Sequence, residues 1–337
     1  MHDGFDVDFG KWQTVNGFII TSSGRFTGSR RAERTNAVTT NYYVTRNVDP
    51  ALEHATFIMG IALHFNSETA GAPYIRFCSD AGVTTHIHVQ ANPTTRAIDV
   101  YRGAVTTLLG STASLLLPAN GWFFMEAKVV LHDTNGSVEV RLNGSSTPVL
   151  NLTGINTKTV TGTKTVFDNI RIGGSDKAHL FDDFYAVNGA GSAPTNTFLG
   201  DCKTELLLPN AEGDVLEMSM STGTTHYTLV DENPPSGSDY VFSDVMDKID
   251  VYNLTNLAST GGTPIAVSTR LVAAKSDAAF RQVADVLRSG GANYPGPDKV
   301  LTPSYQTFIE TYTLNPATGL AWTLADVNAL QAGAKVR

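Results

Sequence analysis

Charge is scarce in this sequence: Asp, Glu, Lys and Arg together make up only 17% of its 337 residues. Helical surfaces carry more charge than this, and with 30 Gly and abundant Thr, Ser and Asn the balance is that of a turn-rich β protein. The little charge present is acidic, a net −8, which argues against nucleic acid as a partner because phosphate binding needs a basic surface. Arg25, Arg30, Arg31 and Arg34 form one small basic cluster, read as a solvated loop. Cysteine is limited to Cys78 and Cys202, in different halves of the chain, so two free thiols are expected rather than a disulfide framework. No run approaches eighteen apolar residues, so no membrane span is expected. The opening residues MHDGFDVDFGKW carry acids where a secretory leader carries an apolar segment, so synthesis and folding in a cytoplasm are expected. Catalytic signatures are missing too: there is no Gly-x-Ser-x-Gly, no Walker loop and no Cys with a nearby His. Two carboxylates on one strand share a face only at even offsets, and no Glu-x-Asp-x-x-Glu run is present, so no enzyme is expected.

What is there reads as strand. A chain of this length is natural for two domains. From Gly121 onward Phe124, Glu126, Lys128 and Val130 alternate with Phe123, Met125, Ala127 and Val129, a period of two over a long run. Asp133-Thr134-Asn135-Gly136 supplies a hairpin turn, and Val138, Val140 and Leu142 then share a face. Earlier, residues 55–65 form a dense apolar run, and short strands with turns near Gly82, Pro93 and Gly103 follow. In the closing strand Phe181, Asp183, Tyr185 and Val187 should face opposite to Asp182, Phe184 and Ala186. No helical period separates these runs, which predicts antiparallel pairing. Residues 189–197, small and polar, read as a linker between a domain at 1–190 and a smaller β-rich one at 198–337. In the latter, Leu206–Leu208 reads as a short buried strand, residues 278–291 as strand in preference to a helix that Phe280, Val283, Ala284 and Leu287 would also suit, and Thr323 as the cap of a short C-terminal helix that Gly333 stops.

The Trp122 strand, the Val-x-Val-x-Leu-Asn-Gly hairpin at 138–144 and the Asp-Asp strand at 181–187 resemble the laminin-G-like and concanavalin-like jelly rolls. That resemblance covers about the first 190 residues and implies an all-β chain: an antiparallel jelly-roll β-sandwich, then the smaller β-rich domain. Tyr312, Asn315, Pro316, Thr318, Gly319, Ala321, Trp322 and Thr323 are similar to the closing segment of structural proteins of tailed bacteriophages. This second resemblance implies a virion component, a decoration, tail or fibre-associated protein made in the host bacterial cytoplasm, docking on other virion proteins and forming homo-oligomers. The lectin resemblance implies binding of bacterial surface polysaccharide. The alternatives are a carbohydrate-binding adhesin and, after it, a glycoside hydrolase or lyase.

The candidate glycan-binding residues are Tyr74, His86, His88, Tyr101 and Arg102. Tyrosine rings on an open face can stack on the apolar faces of sugars, whereas Trp122, opening the most apolar strand, is expected to pack in the core. His86 and His88, two apart on a strand, should project from one face; zinc could use that spacing, but Gln90, which shares the face, is a poor third ligand. Asp182 and Asp183, being adjacent, should point to opposite sides, and the inward one would satisfy turn backbone or bind a cation. No cofactor is implied by the motifs. A calcium site of the lectin type would draw its oxygens from Asp80, Asp133, Asn135, Asp176, Asp182 and Asp183.

Overall fold

The computed structural model describes residues 2–5, 11–26, 29–34, 42–66, 72–159, 164–174 and 180–337. The chain divides into two compact units, Met1–Thr204 and Glu205–Arg337. Residues 198–204 therefore belong to the first unit, a few residues beyond the boundary expected at 190–198.

The first unit is a pair of antiparallel sheets. One is eight-stranded, in the order Leu150–Ile155, Gly136–Leu142, Asn120–Val130, Thr56–Asn66, Leu180–Val187, Arg30–Arg34 and Phe18–Ser22, with His2–Asp3 also pairing on Leu180–Val187. The other is seven-stranded: Thr107–Ser111, Ile98–Arg102, Thr84–Ala91, Pro73–Ser79, Asn169–Gly174, Tyr42–Asn47 and Thr14–Asn16. The alternation along Asn120–Val130 sets the register. Met125, Ala127 and Val129 lie opposite Ile61, Met59 and Phe57 on one side and Leu142, Val140 and Val138 on the other, and all nine are buried in one core. From the facing sheet Val44, Ile75, Phe77, Ile87, Val89, Val100, Ile170 and Ile172 enter the same core. Alternate side chains leave the outer faces to polar and aromatic groups.

The closing strand departs from simple alternation. Its register slips between Asp182 and Tyr185, and Asp183 sits at φ 49°. Because of this inserted residue Phe181, Phe184 and Ala186 all reach the core while Tyr185 turns to the outside. There Tyr185, Phe124, Ile58 and Ala62 form a second apolar cluster, covered by Phe198, Leu199 and Cys202. Trp122 packs against this outer cluster, half-buried, and not in the main core. Glu126, fully buried, fixes the covering segment: it accepts from the Tyr185 hydroxyl and from the Gly200 N–H (2.8 Å). The patch of this outer face around Phe124 and Tyr185 is thus covered by the unit's own chain.

In the second unit Pro209–Leu216, Ile249–Leu254, Gln331–Val336, Gln282–Ser289 and Ala292–Pro295 form a sheet in that order, with Lys299–Val300 added on Gln282–Ser289. The strand expected within 278–291 is present as Gln282–Ser289. Leu206–Leu208 is not a strand; the strand starts at Pro209, and Leu207 packs loosely against a core of Leu287, Trp322, Val327 and Leu330. Thr323 caps the short helix Leu324–Asn328 through a reciprocal box, its hydroxyl accepting from Asp326 N–H (3.1 Å) and the Asp326 carboxylate from Thr323 N–H (2.9 Å). The helix ends well before Gly333, and the chain returns as Gln331–Val336 inside the sheet. Gly333 serves that strand, because a side chain there would collide with the Asp250 carbonyl.

Phe77, fully buried in the first core, and Phe280, 71% exposed, are a matched test of this layout. Phe77→Ala should destabilise by about 3–5 kcal/mol and Phe280→Ala by less than about 0.5 kcal/mol, read from urea unfolding of the full chain.

Candidate functional site

The outer face of the seven-stranded sheet carries two cross-strand rows of polar and aromatic side chains. In the first row Arg171 is the direct partner of Arg76, Arg76 of His88, and His88 of Tyr101. In the second, Tyr43 is opposite Gly173, Gly173 opposite Tyr74, Tyr74 opposite Gln90, and Gln90 opposite Asp99. The residues between them along each strand enter the core, so the rows share the opposite face. Gly173 is needed here, since a methyl group at this position would come within 2.8 Å of Tyr74 Cζ. Its bare backbone lets the Tyr74 ring lie across the neighbouring strand.

The rows are tied together. Arg76 Nε–H donates to His88 Nδ1 (2.8 Å), which leaves the His88 proton on Nε2, donated to Gln90 Oε1 (3.0 Å). The His88 ring lies 4.8 Å from Tyr74 and edge-on to Tyr101 at 6.1 Å. Arg76 stacks over Tyr74 at 4.3 Å and Arg171 over Tyr43 at 4.4 Å. Asp99, buried, accepts from Ser111 Oγ (2.6 Å), Asn92 Nδ2 (2.7 Å) and the Tyr101 hydroxyl (3.3 Å), which fixes the Tyr101 ring. Tyr74 and His88 form the buried floor, while Tyr43, Arg76, Gln90, Tyr101 and Arg171 are partly exposed.

Of the sequence candidates, Tyr74, His88 and Tyr101 come together here. His86 does not share the face of His88: the pairing slips between Phe77 and Cys78, so the extra residue turns His86 aside. It lies edge-on to the core residue Phe167 at 6.0 Å, bonded to Ser79 Oγ (2.9 Å) and to the Thr159 N–H (3.1 Å). Arg102, paired with Ile87 and Thr107, falls on the other side of its strand from Tyr101. Arg76, Arg171, Tyr43, Gln90 and Asp99 complete the face. Alternation within Pro73–Ser79 puts Arg76 beside Tyr74, but only the strand order brings in Arg171 and Tyr43.

Asp182 and Asp183 hold backbone and an arginine on the far sheet. Asp182 accepts from the N–H groups of Arg25 (2.7 Å) and Asp183 (2.9 Å), while Asp183 accepts from Thr204 N–H (2.9 Å). The bulge turns both toward Arg25, whose guanidinium is 3.5 Å from Asp183 and makes a bidentate pair with Asp201 at 2.6 Å. That guanidinium supplies the positive charge at these carboxylates, and Arg25 is not a solvated loop residue. Asp80 lies beside Ser79, bonded at 3.0 Å, and Asp133 and Asn135 in the turn after the Asn120–Val130 strand; Asp176 is outside the described residues. Among the described residues no three His, Cys, Asp or Glu side chains converge as metal ligands. A polar cleft of about 510 Å³ lies beside Asn47, Glu53 and Asp168. Within it Lys164 lies 2.7 Å from Asp168 and 3.0 Å from Glu53, Arg46 donates to the Lys11 carbonyl and Asp49 accepts from the Ala51 N–H (2.9 Å).

Burial pushes the His86 pKa down to about 4, and burial followed by the Arg76 charge pushes His88 down to about 3. An unfolded histidine takes up its proton near pH 6.5, so below that pH the unfolded chain binds protons that the folded chain does not, and stability falls with pH. Asp183, raised by burial to about 6, acts oppositely: the folded chain binds its proton first, adding stability as pH falls from 6 toward 4. His88→Gln should therefore reduce the acid-side loss between pH 6 and 4 by about 1.4 kcal/mol per pH unit. Urea unfolding across that range measures it; an unaltered slope would mean that His88 is protonated in the fold.

No family model and no curated protein matches the chain. Among solved structures it is similar to the CBM2 module of the evolved Dit of Lactobacillus casei BL23 phage J-1, at 10% identity and a TM-score of 0.34, over 55% of this chain and 93% of that one. The exoplasmic/lumenal domain of VIP36 in its Ca²⁺/Man-bound form is similar at 12% identity and a TM-score of 0.37, over 58% and 91%. A tetrameric galectin from the ball sponge Cinachyrella sp. is similar at 8% identity and a TM-score of 0.31, over 43% and 98%. The all-β sandwich assignment rests on the strand pairing described above.

Proposed function

We propose that the first unit is a carbohydrate-binding module whose ligand lies across the outer face of the seven-stranded sheet. The observation that carries this reading is the row Arg171, Arg76, His88 and Tyr101 beside Tyr43 and Tyr74. Sugars present an apolar face and a fringe of hydroxyls. A partly exposed tyrosine can stack on the first, and fixed donors and acceptors such as Arg76 and Gln90 can bond the second. The bonds of Asp99 and His88 fix this array before any ligand arrives, which lowers the entropic cost of binding. No role in bond cleavage is assigned to any of these residues; the proposed activity is binding. In a glycan array and titration with bacterial surface polysaccharide, the full chain should bind, and Tyr101→Ala should weaken binding by about tenfold. Unaltered affinity in that variant would place the ligand elsewhere.

The wider proposal is that this module belongs to a structural component of a tailed-phage virion, docked on neighbouring subunits as a homo-oligomer. It is supported by the likeness of the segment Tyr312–Thr323 to phage virion proteins. In the fold those residues brace the second unit: the Trp322 indole donates to the Tyr312 carbonyl (2.9 Å), and Asn315 Oδ1 accepts from Ser289 Oγ (2.9 Å) and Ala317 N–H (2.9 Å). Antibody labelling of intact particles in negative stain should decorate a fixed location. Unlabelled particles would remove the virion role and leave the binding module standing.

A further inference from the structure

The two arginines of the candidate face stand in an arrangement that sheet physics does not favour. Arg76 and Arg171 are direct cross-strand partners, and like charges placed opposite one another destabilise a sheet. In a chain of net charge −8, carboxylates to pair with them would be easy to supply. Yet among the described residues neither arginine has a carboxylate within ion-pair distance. Their partners are aromatic faces: Tyr74 under Arg76 and Tyr43 under Arg171. Arg76 uses its Nε–H on His88, a residue only 1% exposed, which holds the guanidinium in place; among the described residues its two terminal nitrogens make no hydrogen bond. The Nε of Arg171 is buried without a hydrogen-bond partner among the described residues, and its one bond runs from Nη2 to the Gly82 carbonyl at a long 3.4 Å.

Two planar guanidiniums carried by directly paired strand positions, each stacked on a tyrosine and short of acceptors among the described residues, match the planar oxygen pairs of carboxylates. We propose that the glycan bound on this face is acidic, a polysaccharide whose sugar rings carry carboxylates, and that Arg76 and Arg171 read the carboxylate while Tyr101 and Tyr43 border the ring. The proposal rests on the carbohydrate-binding reading and narrows it to a ligand class. Arg171 is the main determinant of charge selection; Arg76 also positions His88, so its replacement disturbs the floor of the site as well.

The test measures binding of the full chain, by titration calorimetry, to polygalacturonate, to its fully methyl-esterified form and to neutral dextran and galactan. Polygalacturonate should bind at least about tenfold more tightly than the ester, the scale of one charge-assisted bond. Arg171→Gln should abolish that preference, with an unfolding midpoint no lower than that of the parent chain. Equal binding of acid and ester, or binding of neutral polymers alone, would overturn the acidic assignment and leave the carbohydrate-binding reading intact. A preference that survives Arg171→Gln would overturn the role of the arginine pair. Absence of binding to all four polymers would overturn the acidic assignment, and only absence of binding to bacterial surface polysaccharide as well would overturn the carbohydrate-binding reading.

Discussion

The burial of alternate side chains between two antiparallel sheets is the constraint from which the first unit follows. Phe123, Met125, Ala127 and Val129 face inward, so Phe124, Glu126 and Lys128 must face outward. The same rule applied to Pro73–Ser79 sends Ile75 and Phe77 into the core and leaves Tyr74, Arg76 and Cys78 on the other side. The candidate site is thus a by-product of core formation: each inward residue fixes the direction of its neighbours, and strand pairing lines those neighbours into rows. On one outer face the patch around Phe124 and Tyr185 is closed by Phe198, Leu199 and Cys202, anchored through Glu126. The other retains partly exposed tyrosines and arginines.

Polar groups on that face are ordered by one another. Buried Asp99 sets Tyr101, and Arg76 sets the tautomer of His88, whose remaining proton goes to Gln90. A neutral histidine at the centre follows from burial beside a permanent cation, which makes the charged imidazole unfavourable. The face therefore presents its positive charge through the guanidiniums alone, independent of pH across the physiological range.

Much of the fold is legible in the sequence because the pleat writes a period of two into it. The Asn120–Val130 strand and its hairpin are read this way; the strand at Gln282–Ser289 is read from its strand-like flanks and the Gly290-Gly291 exit, against a helical spacing of Phe280, Val283, Ala284 and Leu287, and the Thr323 cap from capping chemistry. Bulges cannot, since an inserted residue leaves no mark in composition. The one at His86 turns that residue off the face of His88, and the one at Asp182–Tyr185 reverses Phe184, Tyr185, Ala186 and Val187 relative to Phe181. Helix length was likewise hidden, because the apolar residues after Asn328 suit a strand as well as a helix. Of the site, the residues on three successive strands of one meander can be gathered from sequence, namely Tyr74, His88 and Tyr101. Arg171 and Tyr43 enter through long-range pairing of strands distant in the chain, which no local pattern encodes.

The account stands on the outer face of the seven-stranded sheet being the surface that meets a glycan. Hydrogen–deuterium exchange of the full chain, with and without bacterial surface polysaccharide, tests this directly. Slowed exchange concentrated in Pro73–Ser79, Thr84–Ala91, Ile98–Arg102 and Asn169–Gly174 is the predicted result. Protection confined to the eight-stranded sheet or to residues 205–337, with those four strands unaffected, would contradict it.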